Sequence, residues 1–159
     1  MLTVKVPIFP PAPFLTYDLS DVPALVAGLA LGAGPGVAVV LLKDLLYFAV
    51  HFTPFELIGV PMNMVSGLAL VGVTSLCYKR PGHPALWLCL SAGVVAMVLV
   101  MMLANIAAYH SLVALMGVQK LSSLTHYLVG IILPFNFIKG LLSGALAWGL
   151  YGRVAKYLR

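Results

Sequence analysis

Ala85-Leu86-Trp87-Leu88-Cys89-Leu90-Ser91-Ala92-Gly93-Val94-Val95-Ala96-Met97-Val98-Leu99-Val100-Met101-Met102-Leu103-Ala104-Asn105 lies inside a charge-free run that extends from Pro81 to Gln119. About 20 consecutive apolar residues are enough to cross a bilayer core, so this stretch reads as a membrane-spanning helix. Two further charge-free runs, from Val22 to Leu42 and from Leu57 to Tyr78, have the same character. The composition agrees: of 159 residues, 62% are hydrophobic and 8% charged, and the mean hydropathy is +1.09. Soluble domains carry about 25% charged residues, and a chain of 16.9 kDa could not hide this much apolar surface from water. The fold class expected is an all-α integral membrane protein in a single membrane domain.

A net charge of +5 does not point to nucleic acid, because the basic residues flank hydrophobic runs instead of clustering on a polar face. Lys79-Arg80 and the set Arg153, Lys156 and Arg159 follow the positive-inside pattern of cytoplasmic loops and tails. Cys77 and Cys89 lie in predicted spans without pairing or metal spacing and read as small buried apolar residues.

Working outward, residues 1–20 form a proline-rich extended loop, since Pro7, Pro10, Pro11 and Pro13 each remove an N–H and resist helix. A first helix is expected from Asp21 to Leu31, with Ser20 or Asp21 as N-cap and Pro23 in the first turn. Gly32-Ala33-Gly34-Pro35-Gly36 interrupts it, and a second helix follows from Pro35 to about Phe52. Helices three and four occupy about Ile58 to Tyr78 and Ala85 to Tyr109. The mixed segment 110–133 reads as a lid-like outer loop with short helical pieces, and a fifth helix runs from Pro134 to about Leu158, ending in the basic tail.

Parity fixes a topology. With the basic turn at Lys79-Arg80 and the C-terminus both cytoplasmic, residues 1–20 fall on the external face. That is an awkward place for an N-terminus without a signal sequence; the simplest expectation is one more helix upstream of Met1, and the alternative is genuine loss of that helix.

The residues that stand out chemically are polar ones inside apolar sequence. Asn136 and Lys139 in Leu133-Pro134-Phe135-Asn136-Phe137-Ile138-Lys139-Gly140 are three apart and share a helix face. Placed near a helix N-terminus, that face suits carbonyl or phosphate oxygens. A lysine at such depth costs about 2.5–3.5 kcal/mol on insertion scales unless it faces a cavity or a partner, so it reads as functional. The structural alternative is a packing pair with Asp44 or Glu56. Asn105 and Asn63 add two amides, each a donor and an acceptor, that fit either a heteroaromatic ring or an interhelical hydrogen bond. Lys43-Asp44 reads as an internal charge pair. The run Tyr17-Asp18-Leu19-Ser20-Asp21 reads equally as a helix cap or as the outer closure of a pocket. His51, His83, His110 and His126 lack metal spacing. No nucleophile elbow, paired carboxylates, His-Glu-x-x-His helix or Walker loop is present, so enzyme classes and an intrinsic ATPase are not supported.

Two separated stretches carry a family resemblance. The run from Phe9 to Gly28, with Gly34-Pro35-Gly36 and Leu42-Lys43 after it, and the run from Leu133 to Gly140 together resemble the riboflavin-specific S components of energy-coupling factor (ECF) transporters. The similarity extends from about Pro7 to the end of the chain. It implies a bundle of six helices, of which this chain has about five, the first being apparently missing. In the family that helix carries small alanines used in docking. The resemblance also implies a riboflavin-binding subunit of the cell membrane, bacterial or archaeal, that works with a transmembrane coupling protein and two ATPase subunits. No resident cofactor is implied, riboflavin being the cargo. Carried onto this sequence, the polar contacts to the flavin are Asn136, Lys139 and Asn105, with the loop around Phe14 to Tyr17 and segment 110–133 as cover; the reading of the residues themselves adds Asn63 as a further ligand-binding amide and Phe135 as a wall. The competing expectations are an S component for another heterocyclic vitamin and an assembly protein whose asparagines only join helices.

Overall fold

The structure, a computed structural model, describes residues 5–6, 15, 17–54, 56–82, 84–116 and 123–156. A two-stranded antiparallel ribbon pairs β1 (Lys5–Val6) with β2 (Tyr17–Asp18), in the register Lys5 to Asp18 and Val6 to Tyr17. Helices α1 (Asp21–Leu31), α2 (Ala33–Val50), α3 (Glu56–Tyr78) and α4 (Leu86–Met116) follow. The last rod is continuous: α5 (Leu124–Tyr127) leads through a π turn (Leu128–Ile132) into α6 (Leu133–Val154). Among the described residues there are thus five helical rods, four of them long and apolar enough to cross a membrane. The chain is an integral membrane protein.

Every backbone polar group in lipid must be satisfied internally, which favours helices wherever the chain is apolar. Local breakers then set the joints. Gly32 has φ 108 and serves as both the end of α1 and the cap of α2. With that reversal placed at Gly32, α2 starts at Ala33 instead of Pro35, and Pro35 fits its first turn, where its absent N–H has no helical partner to lose. Helix α4 is described as far as Met116, beyond the expected end at Tyr109, because residues 111–116 hold apolar helix formers and no breaker.

The rod ending in α6 begins at Leu124, ten residues before the expected start at Pro134. Proline removes an N–H donor and crowds the preceding turn. Here the helix widens into the π turn just before it, with the Leu133 N–H reaching back to the Leu128 carbonyl, and continues through Pro134. The helix-dipole contribution expected at Asn136 and Lys139 therefore belongs to the rod's true start near Leu124, more than two turns away.

Helix α1 packs against α2, α3 and α6, and the α3–α4 and α4–α6 contacts close the rest of the bundle. The core joins Val22, Leu25, Val40, Leu70, Val71, Val94, Met97 and Ala147. Close backbone approach depends on small residues: a Cβ on Gly36 would come within 2.7 Å of the Gly28 Cα, tying α1 to α2. Outward-facing Leu45, Leu46, Leu99, Leu103, Leu141 and Trp148 are exposed on the long helices, as a surface bathed in lipid requires.

Candidate functional site

The site is laid out along one face of α6. Ile132, Asn136, Lys139 and Ser143 follow one another at spacings of four, three and four, which aligns them on a single stripe. All four are buried, with relative exposures of 1%, 2%, 3% and 0%. A stripe carrying an amide, an ammonium and a hydroxyl in an apolar bundle needs partners, and three separate groups supply them.

Lys139 sits in a closed ring of charges. Its Nζ donates to Asn63 Oδ1 at 2.7 Å and lies 3.1 Å from Asp21 Oδ2. The other Asp21 oxygen is 2.8 Å from Lys43 Nζ, which lies 3.3 Å from Asp44 Oδ1. Asn63 Nδ2 donates to that same Asp44 oxygen at 2.9 Å and closes the circuit. The ring draws on α1, α2, α3 and α6, and its two carboxylates balance its two ammonium groups. Asp18, at the rim, adds a longer contact of 3.6 Å to Lys43 and also accepts from the Ser20 backbone N–H and hydroxyl.

The second group is neutral. Asn105 Nδ2 donates to the Met101 carbonyl at 2.8 Å, and its Oδ1 accepts from the Tyr127 hydroxyl at 2.8 Å. The Tyr109 and Tyr127 rings lie 5.8 Å apart, and Leu15, Met102 and Ile132 pack with them. Asn136 Nδ2 donates to the Ile132 carbonyl one turn back at 2.9 Å, and the Ile132 side chain packs in this group. The third partner comes from the N-terminal ribbon: Tyr17 Oη and Ser143 Oγ share a buried hydrogen bond of 3.2 Å. Burial raises the Tyr17 phenol pKa, the Ser143 hydrogen bond works against this, and the nearby Asp21 and Asp18 carboxylates raise it further.

The sequence-predicted residues are thus brought together unevenly. Lys139 and Asn63 touch, Asn136 lies one turn along on the same face, and Tyr17 reaches that face at Ser143. Asn105 stands across the aromatic group, and Phe135 is buried on α6. Phe14 lies outside the described residues. The counter-ion of Lys139 is Asp21, not Asp44 or Glu56; Glu56 instead accepts from the Tyr47 hydroxyl at 2.7 Å. Nor does Asp21 cap α1: Ser20 occupies the N-cap without a side-chain cap bond, and Asp21 is fully buried as the hub of the ring. Ser143 and Tyr127 carry no site signal in the sequence, and Asp21 stands out there only within a run that reads equally as cap or pocket closure. The signal available for Asp21 was the scarcity of acids, four in the whole chain, beside a lysine that required one. Among the described residues no three His, Cys, Asp or Glu side chains form a metal site.

An apolar helical bundle with four membrane-length helices and a buried polar stripe, met at Ser143 by Tyr17 of the N-terminal ribbon, defines a helical membrane protein. The family follows from comparison: residues 1–151 match the model of the ECF transporter substrate-specific component, and the chain belongs to that family. It is 29% identical to the riboflavin transporter RibU of Staphylococcus aureus, over 98% of this chain and 83% of that protein. It is 32% identical to the riboflavin transporter FmnP of Bacillus subtilis, over 84% and 73% respectively. A solved structure of the S component of a bacterial ECF transporter superposes with a TM-score of 0.80 at 30% identity, covering 99% of this chain and 88% of that one.

Proposed function

We propose that this chain is the riboflavin-binding subunit of an ECF-type uptake transporter. It captures the vitamin and does not transform it. The observation that carries the reading is the α6 stripe, where Asn136 and Lys139 lie buried between a neutral amide–aromatic group and a charge-balanced ring, in a chain whose relatives include riboflavin transporters. An isoalloxazine has one apolar edge and one edge of alternating carbonyls and nitrogens. Aromatic and aliphatic walls suit the first, and the donors and acceptors of Asn105, Asn136 and Lys139 suit the second. Tyr17 and Phe135 serve as walls and cover.

The cover lies outside the cell and the basic end inside. Lys79 donates to the Ala30 carbonyl at the end of α1, and the Tyr78 and Tyr151 rings meet edge-on at 5.7 Å, so the Lys79-Arg80 turn and the Arg153–Lys156 end share one side of the bundle. That clustering supports a cytoplasmic C-terminus. Transport draws on partners: a transmembrane coupling protein and two ATPase subunits supply the energy.

The test is a riboflavin titration of the purified chain in detergent, read by quenching of flavin fluorescence. Replacing both Asn136 and Lys139 by alanine is expected to weaken binding by about 2–4 kcal/mol, the scale of one neutral and one charge-assisted hydrogen bond. An unchanged titration in that double variant would sink the site assignment.

A further inference from the structure

An ammonium on a four-carbon stem is mobile, and in a bilayer it tends to swing toward the nearest polar surface. Lys139 does neither, because two anchors from two different helices hold its nitrogen: Asp21 Oδ2 at 3.1 Å from α1 and Asn63 Oδ1 at 2.7 Å from α3. Each anchor is itself fixed by a second contact. The Asp21 carboxylate is gripped on its other oxygen by Lys43 at 2.8 Å, and the Asn63 amide is oriented by its donation to Asp44 at 2.9 Å. An ammonium has three N–H donors, so, among the described residues, two are committed and one is left. Asn63 spends both ends of its amide within the ring, which suits an orienting part better than a ligand contact.

We infer that Asp21 and Asn63 are positioning residues that lock the Lys139 ammonium so that its remaining N–H is presented to a ring carbonyl of the bound heterocycle. This rests on the reading of Lys139 as a ligand contact. Because the ring's charges already balance, the presented N–H meets a neutral acceptor without requiring a counter-ion from the ligand, whereas a carboxylate or phosphate at that point would leave an excess buried negative charge. Both residues act through Lys139, so their effect on binding vanishes when Lys139 no longer has an ammonium.

The experiment is a set of double-mutant cycles on riboflavin affinity in the full chain, with size-exclusion profiles to verify folding. Asp21→Asn and Asn63→Ala should each lower affinity about tenfold or more, whereas in a Lys139→Met background neither should lower it by more than about two- to threefold. Losses that simply add to that of Lys139→Met would overturn the inference. So would a loss from Asp21→Asn that persists with Lys139→Met and disappears with Lys43→Met, which would assign Asp21 to the other ammonium. If Asp21→Asn does not fold, the Asn63→Ala cycle decides alone. Absence of riboflavin binding by the unsubstituted chain removes the ligand reading and this inference together; normal binding with additive losses removes this inference only.

Discussion

Two polar groups meet the same α6 stripe, and they are built on opposite principles. The ring of Asp21, Lys43, Asp44, Asn63 and Lys139 is ionic, drawn from four helices, and closed on itself. The group around Asn105, Tyr127 and Asn136 is neutral, and its amide donors rest on carbonyls four residues back in their own helices, Met101 and Ile132. Those carbonyls lie within helices, so the amide bonds are supplementary and can be exchanged for ligand at small cost. A charge taken from the ring would be left unpaired in an apolar bundle, which is far costlier. On the proposed reading, the ring holds geometry while the neutral group adapts to the ligand.

The sharpest way to break this contrast is at the hub. Asp21→Ala should destabilise the protein by about 3–5 kcal/mol, the cost of orphaning buried charges, seen as a large fall in the thermal midpoint in detergent. A fall no greater than that of the neutral-group variants would erase the distinction. Next in size is Asn105→Leu, which leaves the buried Tyr127 hydroxyl without its acceptor and should cost about 1–3 kcal/mol. Tyr127→Phe should cost less, about 0.5–1.5 kcal/mol, and the pair should be non-additive in a cycle.

The smallest effect belongs to the link between cover and stripe. Tyr17→Phe removes one hydrogen bond to Ser143 and should cost at most about 1 kcal/mol, with little further change on adding Ser143→Ala. The same link carries a pH signature. The folded Tyr17 pKa is raised above the ordinary value of about 10. Its contribution is therefore fully present below that value and is lost as pH climbs through the elevated folded value. Absorbance titration should show one late-ionising phenol fewer in Tyr17→Phe.

Hydrophobic runs made the bundle legible, since a charge-free stretch such as Pro81 to Gln119 has one stable solution in lipid. Helix ends were less so. Proline at 134 reads as a start because its cost in a helix interior is a local rule, while the π turn that absorbs it is a response of the neighbouring turn. The same limit governed the site. Asn136 and Lys139 announce themselves by spacing within one helix, but the partner of Lys139 lies 118 positions away at Asp21, by 139 minus 21. Asp21 stands in a run, Ser20-Asp21-Val22-Pro23, whose local chemistry is that of a helix cap. Only the packing of α1 against α6 turns that acid inward.

Riboflavin binding by the purified chain is the most direct measurement. A titration followed by flavin fluorescence should show saturable quenching at one ligand per chain, abolished or strongly weakened by the Asn136→Ala and Lys139→Ala pair. A folded, monodisperse chain that leaves flavin fluorescence unchanged across the titration would contradict it.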